Sequence, residues 1–206
     1  MPTDAQAEFR FCPPPATEAG WLVCRRVRRD DAADVYEAAR ASLEHIKRWM
    51  PWATDSYDLA DAEEFAIRNS LAAQDEPVTD ASYVIRDRGG QFLGVCGLHA
   101  RLAPGALEIG YWVDVRHIRR GVATLAAALI TEAALAVPQV GSVEIHHDQA
   151  NVASGAVPAK LGYTHVDATP DEREAPGDTG VDWRWVLRRE EFPASAAARL
   201  LAAARA

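Results

Sequence analysis

Hydrophobic and polar residues alternate most clearly over residues 107–115. Leu107, Ile109, Tyr111, Val113 and Val115 fall on one side, Glu108, Gly110, Trp112 and Asp114 on the other, as in a half-buried strand. Tyr36, Ala39, Leu43, Ile46 and Met50 recur at helical spacing and predict a helix from Asp30 or Asp31 to about Met50, where Pro51 stops it. A second helix is expected from Asp58, with Asp61, Glu63 and Glu64 in a first turn that favours negative charge. Residues 21–28 read as a first strand, and 82–87 and 91–98 as a hairpin around Arg88-Gly89-Gly90. Ala126, Leu129, Ile130, Ala133 and Val137 share one face of a helix expected over about 121–136. Residues 142–148 read as a strand. Asn151 can cap a short helix ending at Leu161, with Gly162 as its left-handed C-terminal residue. Residues 163–168 and 181–188 read as a final strand pair. The loop between them, 169–180, is rich in Asp, Glu, Pro and Gly and is expected to be mobile.

Length and composition narrow the class. The chain has 206 residues, 49% of them hydrophobic, enough for one sizeable core. One domain is expected over residues 21–192, after an arm (1–20) that holds Pro13, Pro14 and Pro15 and before a terminal helix or tail (193–206). The most apolar run, 122–137, is broken by Thr124, Thr131 and Glu132 and reads as a packed helix, not a membrane span. The first residues lack the basic start and apolar core of a signal peptide. Cys12, Cys24 and Cys96 have no metal spacing and read as reduced thiols, which places the expected compartment in the cytoplasm. A net charge of -8 argues against duplex nucleic acid as a partner. It suits an amine-bearing substrate, although acidic surfaces mostly serve solubility.

The loop Arg119-Arg120-Gly121-Val122-Ala123-Thr124 joins the strongest strand to a strong helix. A helix start offers unpaired N–H groups and the positive end of the helix dipole, and small residues let an anion approach them. On spacing alone, a phosphate cradle and an ordinary turn with two solvated arginines are equal readings. The loop is neither a dinucleotide fingerprint nor a Gly-Lys-Ser/Thr phosphate loop.

Four blocks follow one another in order: Glu108-Ile109-Gly110-Tyr111-Trp112-Val113, Arg120-Gly121-Val122-Ala123-Thr124, Asn151-Val152-Ala153-Ser154 and Lys160-Leu161-Gly162-Tyr163. Their combination resembles the core of the GNAT acetyltransferases, in the branch that includes the ribosomal-protein N-terminal acetyltransferases. The stretch 43–52 is similar to the segment that borders the acceptor pocket there. The resemblance implies a mixed α/β fold: a mostly antiparallel sheet of about seven strands, splayed between strands four and five and flanked by helices. It implies acetyl-CoA as co-substrate. The pantetheine arm would pair with backbone of Trp112, Val113 and Val115, and the diphosphate would sit on Arg119, Arg120, Gly121, Val122, Ala123 and Thr124. Asn151 would contact the cofactor or position the acceptor. Gly110 is a sensible place for a strand bulge. Ile118 stands where Gln or Arg is usual, and Arg119 where Gly is frequent; Arg119 is ill suited to a left-handed backbone. Pro158 removes an N–H inside the helix after strand five and crowds the carbonyl of Ser154, so that helix should kink or start late.

Acetyl transfer to an amine needs a proton acceptor, a polarised thioester and a proton for the thiolate. The resemblance assigns the last role to Ser154, although a Ser in a first turn is also an ordinary capping residue. For the base, Glu108 ranks first from the resemblance and His146 second; a water chain is the alternative. Cys96 reads as a buried structural thiol. His146 and His147 fall on opposite faces of a strand, so no metal is expected. Trp49, Met50 and Trp52 either wall an acceptor pocket or belong to the core. The expected partner is an amine-bearing small molecule or a peptide N-terminus, with a homodimer left open, and neither nucleic acid nor membrane. Competing readings are a non-catalytic acyl-CoA sensor and an antibiotic-modifying acetyltransferase.

Overall fold

A computed structural model describes residues 9–206. Residues 1–8 of the expected arm lie outside the described residues. The chain runs through β1 (Ala16–Ala19), β2 (Leu22–Arg26), α1 (Ala32–Ile46), α2 (Leu59–Ala72), β3 (Asp80–Asp87), β4 (Phe92–His99) and β5 (Ala106–Val113). It continues with α3 (Val122–Ala136), β6 (Ser142–Asp148), α4 (Val152–Leu161), β7 (Thr164–Pro170), β8 (Val181–Arg188) and α5 (Ala196–Arg205).

All eight strands form one sheet in the order β1-β2-β3-β4-β5-β6-β8-β7. Every pairing is antiparallel except β5 with β6, which is parallel. The eighth strand, beyond the about seven expected, is β1, inside the segment read as an arm. Its sequence, Ala-Thr-Glu-Ala, has no alternation to announce it. Gly20, at φ +57, turns the chain so that Ala19 pairs with Leu22. Phe11 is buried and exchanges backbone hydrogen bonds of 2.9 Å with Val78, which ties the segment down earlier still.

Two apolar layers sandwich the sheet. On one face α1 and α2 pack Val35, Ala39, Leu43 and Ala66 against Val84 and Val95. On the other, Leu125, Leu129 and Ile130 of α3 pack with Leu161 of α4 and Leu201 of α5 on Leu107, Ile109 and Ile145. Each such fully buried aliphatic side chain is worth about 1.5–3 kcal/mol relative to exposure. α3 is buried nearly all round, which explains its Ala-rich, almost uncharged sequence.

Two boundaries depart from the expected ones. α1 stops at Ile46, because Met50 precedes Pro51 and is steered away from helical backbone; Trp49 and Met50 close a looser turn on Ile46 O. β5 stops at Val113, because Asp114 caps a short 3-10 turn by accepting the Arg116 N–H at 2.9 Å. The pairing of β5 with β4 runs through Gly110 without a register shift, so that glycine is not a bulge. α2 begins as expected, with Asp58 accepting from Ala60 and Asp61 while Asp61 accepts from the Asp58 N–H.

Candidate active site

β5 and β6 pair only from Ala106 with Ser142 to Glu108 with Glu144. Beyond that point the two strands part. The Asp114 N–H donates to Leu93 O at 2.9 Å, and the Trp112 carbonyl points at β4, 2.3 Å from where a Cβ on Gly94 would lie. Backbone direction alternates along a strand. The peptide groups of Tyr111 and Val113 therefore face the opening, and that of Trp112 does not. The Val115 N–H is also taken, by Ser42 Oγ at 2.8 Å. Of the three backbone positions expected to line the cleft, Val113 does so, and Tyr111 replaces Trp112 and Val115.

The opening leads to the start of α3. Gly121 is its N-cap at φ +81, without a side-chain cap. The first helical bond runs from Leu125 to Gly121 O. The N–H groups of Val122, Ala123 and Thr124 are thus left without a partner among the described residues. A Cβ on Gly121 would have nothing within 4 Å, so the approach is open. Arg119 does adopt a left-handed backbone, φ +62, the one non-glycine among the described residues with a positive φ. That conformation costs about 1–2 kcal/mol. Arg120 reaches His117 Nδ1 at 3.4 Å, and both arginines of the loop are exposed. This cradle of free amides and two cations fits a diphosphate.

Strand alternation puts different chemistry on the two faces of the opening. On the α3–α4 side, the Tyr111 hydroxyl lies 3.2 Å from Ser154 Oγ and donates to Ser154 O at 3.1 Å. Pro158 is the cause of the second contact. It has no N–H to give the carbonyl four residues back, and Tyr111 fills the vacancy. α4 neither starts late nor stops at Pro158; it runs unbroken from Val152 to Leu161, with Asn151 Oδ1 capping the Ser154 N–H at 3.2 Å. Burial keeps the Tyr111 hydroxyl protonated by raising its pKa. His147 also lies on this side and accepts from Trp185 Nε1 at 3.0 Å, with burial lowering its pKa.

On the α1–α2 side a cavity of about 700 Å³ opens, bordered by Trp52, Tyr57, Trp112, Glu108, His146 and Ser154. Trp49 and Met50 line it too, and Met50 also packs against the α1–α2 core. Trp52 stands 5.9 Å from Trp112 and 5.4 Å from Tyr57, ring to ring. Glu108 is 7% exposed and both its oxygens accept from Arg101, Nε at 2.7 Å. His146 is held between Asp182 (2.8 Å) and Glu144 (3.0 Å). Burial alone would lower its pKa; the hydrogen bonds to Asp182 and Glu144 outweigh burial and push it up to about 9. At neutral pH it is an imidazolium, so it does not serve as a base in this state.

The loop over residues 171–180 roofs the cavity and is tied down through its second half. Asp148 accepts from the N–H groups of Thr179 and Gly180 at 2.7 and 3.0 Å, and the Gly177 N–H donates to Arg48 O at 2.8 Å. Ala175 within it is buried. Cys96 is 1% exposed, 3.9 Å from Cys24 Sγ, its pKa raised first by burial, as a structural thiol requires. Among the described residues no group of His, Cys, Asp and Glu could hold a metal ion, and no helix is long and apolar enough to cross a membrane.

Sequence reasoning passed over Arg101, Tyr111 as a side chain, Asp182 and the pair of Asp80 and His99, of which His99 lines this cavity. Each meets its partner across strands or loops, with no local motif. The one available signal was register: His99 closes a strand whose partner carries Glu108.

Residues 22–164, well over half of the chain, match the family described as Acetyltransferase (GNAT) domain. Mycobacterium smegmatis RimJ, solved in complex with CoA-disulfide, is similar at 26% identity, with a TM-score of 0.77 over 94% of this chain and 94% of that one. The ribosomal alpha-N-protein acetyltransferase RimL, solved with coenzyme A, shares the fold at 16% identity and a TM-score of 0.73, covering 82% of this chain and 94% of its own. The microcin self-immunity acetyltransferase MccE, solved with acetyl-CoA and AMP, shares it at 15% identity and a TM-score of 0.73, over 82% and 92%. The curated proteins contain no match. With its splayed strand pair, open helix start and flanking pocket, the chain belongs to the GNAT acetyltransferase family.

Proposed function

We propose that the protein moves an acetyl group from acetyl-CoA to a primary amine, a peptide N-terminus or a small-molecule amine, by direct attack within a ternary complex. The observation that carries this reading is the continuous path from the free amides at the start of α3, along the exposed backbone of Val113 and Tyr111, into a cavity open on the other face. The coenzyme-bound structures of RimJ, RimL and MccE support it.

Bound acetyl-CoA would supply an acetyl group activated as a thioester. Val122, Ala123 and Thr124 N–H, with Arg119 and Arg120, would hold its diphosphate, and Asn151 would keep the start of α4 in place beside it. The residues then divide by face. Ser154 Oγ, hydrogen-bonded to Tyr111, is the hydroxyl that gives a proton to the departing thiolate. Glu108 and His146 border the acceptor cavity, one neutralised by Arg101 and one cationic, and set its electrostatic field. Trp49, Met50, Trp52 and Trp112 give the acceptor an apolar wall and exclude water.

The test is release of free thiol from acetyl-CoA over a panel of amines and N-terminal peptides. Turnover with at least one acceptor is expected, and Ser154→Ala should lower kcat about 10- to 100-fold while coenzyme A binds as before. Tight coenzyme A binding without turnover on any acceptor would sink the reading in favour of an acyl-CoA sensor.

A further inference from the structure

The two groups on the acceptor face that the sequence marks as bases are both held by partners of opposite charge. Both oxygens of Glu108 are engaged by the Arg101 guanidinium. Both ring nitrogens of His146 face carboxylates, Nδ1 to Asp182 and Nε2 to Glu144, and a carboxylate only accepts, so both nitrogens carry hydrogen. A third group on the same cavity has a different arrangement. His99 is the last residue of β4, directly across from Glu108, and it lines the cavity. Its Nδ1 lies 2.6 Å from Asp80 Oδ1 on β3. The carboxylate fixes the proton on Nδ1, which leaves the Nε2 lone pair free in the neutral ring. Nε2 has no hydrogen-bond partner among the described residues.

The ring is placed by absent side chains. A Cβ on Gly97 would come within 3.0 Å of His99 Nε2, and one on Gly110 within 3.5 Å. The imidazole therefore lies along the floor of the cavity, over Gly110 and next to the part of β5 whose backbone faces the opening. The Asp80 side chain behind it is 60% exposed, so a proton taken up at Nε2 can be returned to bulk water.

We propose that His99, oriented by Asp80, is the general base that receives the proton of the acceptor amine. This rests on the acetyl-transfer reading given above. The acceptor, bound as its ammonium form, gives one proton to His99 Nε2, and the freed lone pair forms the N–C bond to the acetyl carbonyl. The C–S bond breaks with its electron pair on sulfur; sulfur takes a proton from Ser154 Oγ, and Ser154 recovers one, through Tyr111 or solvent, as the new amide nitrogen releases its second proton. Asp80 on β3 bonds His99 and Glu108 on β5 stands across from it; Arg101 in the β4–β5 turn, His146 and Asp148 on β6, Glu174 and Asp178 in the roof loop, and Asp61, Glu64 and Arg68 on α2 are further charged or titratable groups on the cavity. His99 is the catalytic residue in this scheme, and Asp80 a positioning residue.

The experiment compares His99→Gln, His99→Asn, Asp80→Asn and Asp80→Glu with the wild-type protein, on the best acceptor from the panel, as a function of pH. At pH 7 the His99 variants should lose about a hundred- to a thousandfold in kcat, with the KM for acetyl-CoA unchanged. The deficit should shrink as pH rises toward the amine's own ionisation, where free amine needs no base. Asp80→Asn should show a smaller loss with the same pH dependence, and Asp80→Glu should recover part of it. Unchanged coenzyme A affinity certifies folding. Should both His99 variants misfold, Asp80→Asn decides, and full activity in it overturns the proposal. A His99 variant within about threefold of wild type at pH 7, or a loss that does not vary with pH, also overturns it. Failure of the wild-type protein to acetylate any amine would instead remove the acetyl-transfer reading itself.

Discussion

His146 donates to two carboxylates from a partly buried position, and the sign of its contribution to stability follows from that. Burial alone would lower its pKa; Asp182 and Glu144 reverse this and hold it at about 9 in the folded protein, against about 6.5 for an unperturbed histidine. The folded state binds the extra proton, so the stabilisation is complete below pH 6.5 and fades as pH rises through about 9. Between pH 6.5 and pH 9.5 the wild-type protein should lose on the order of 1–3 kcal/mol more than His146→Gln, measured by urea denaturation. Equal losses in both proteins would contradict the assignment. That His146 faces the acceptor side was legible from alternation along β6. Its protonation was not, because Asp182 lies 36 residues away, on β8. Arg101 on Glu108 and Asp80 on His99 were hidden for the same reason: side-chain ends meet across strands, and no spacing rule reports that.

At the scale of elements, local signals were read well and long-range ones poorly. β6 and β8 have the bounds expected from sequence, and α4 closes on Gly162 at φ +82, because periodicity and a left-handed cap are properties of a few neighbouring residues. The loop over 171–180 shows the converse. Its Asp, Gly and Pro content read as mobility, yet the same residues make tight turns whose N–H groups are claimed by Asp148 and by Arg48 O. Gly177 is the tightest point: an added Cβ would lie 2.5 Å from Arg48 O and 3.0 Å from the Trp49 ring. Gly177→Ala should therefore cost about 1–3 kcal/mol in denaturation, or lift the roof and raise the KM for the acceptor while leaving that for acetyl-CoA alone. Unchanged stability together with unchanged acceptor KM would show that the loop is not docked as described.

The whole molecule was recognisable before its details were, because the family resemblance rests on the order of four blocks and the blocks occupy the sheet centre and the helix starts beside it. What sequence did not reveal is how short the backbone ladder between the two sides of that sheet is. Across β5 and β6 the backbone ladder is three residue pairs long. Coenzyme A at 100 times its Kd should raise the unfolding free energy by about 2.7 kcal/mol, visible as a higher Tm, and no shift under those conditions would deny the site. Seen as mechanics, the short ladder is a hinge between two leaves, β1 to β5 on one and β6 to β8 on the other. A ligand that paired with the freed backbone of β5 would act as a ninth strand and stiffen the joint. Because Glu108 and Trp112 stand on one leaf and His146 on the other, a ligand that bridges the gap would also fix the width of the acceptor cavity. In the proposed reaction the acceptor would then meet a site whose dimensions the coenzyme has set.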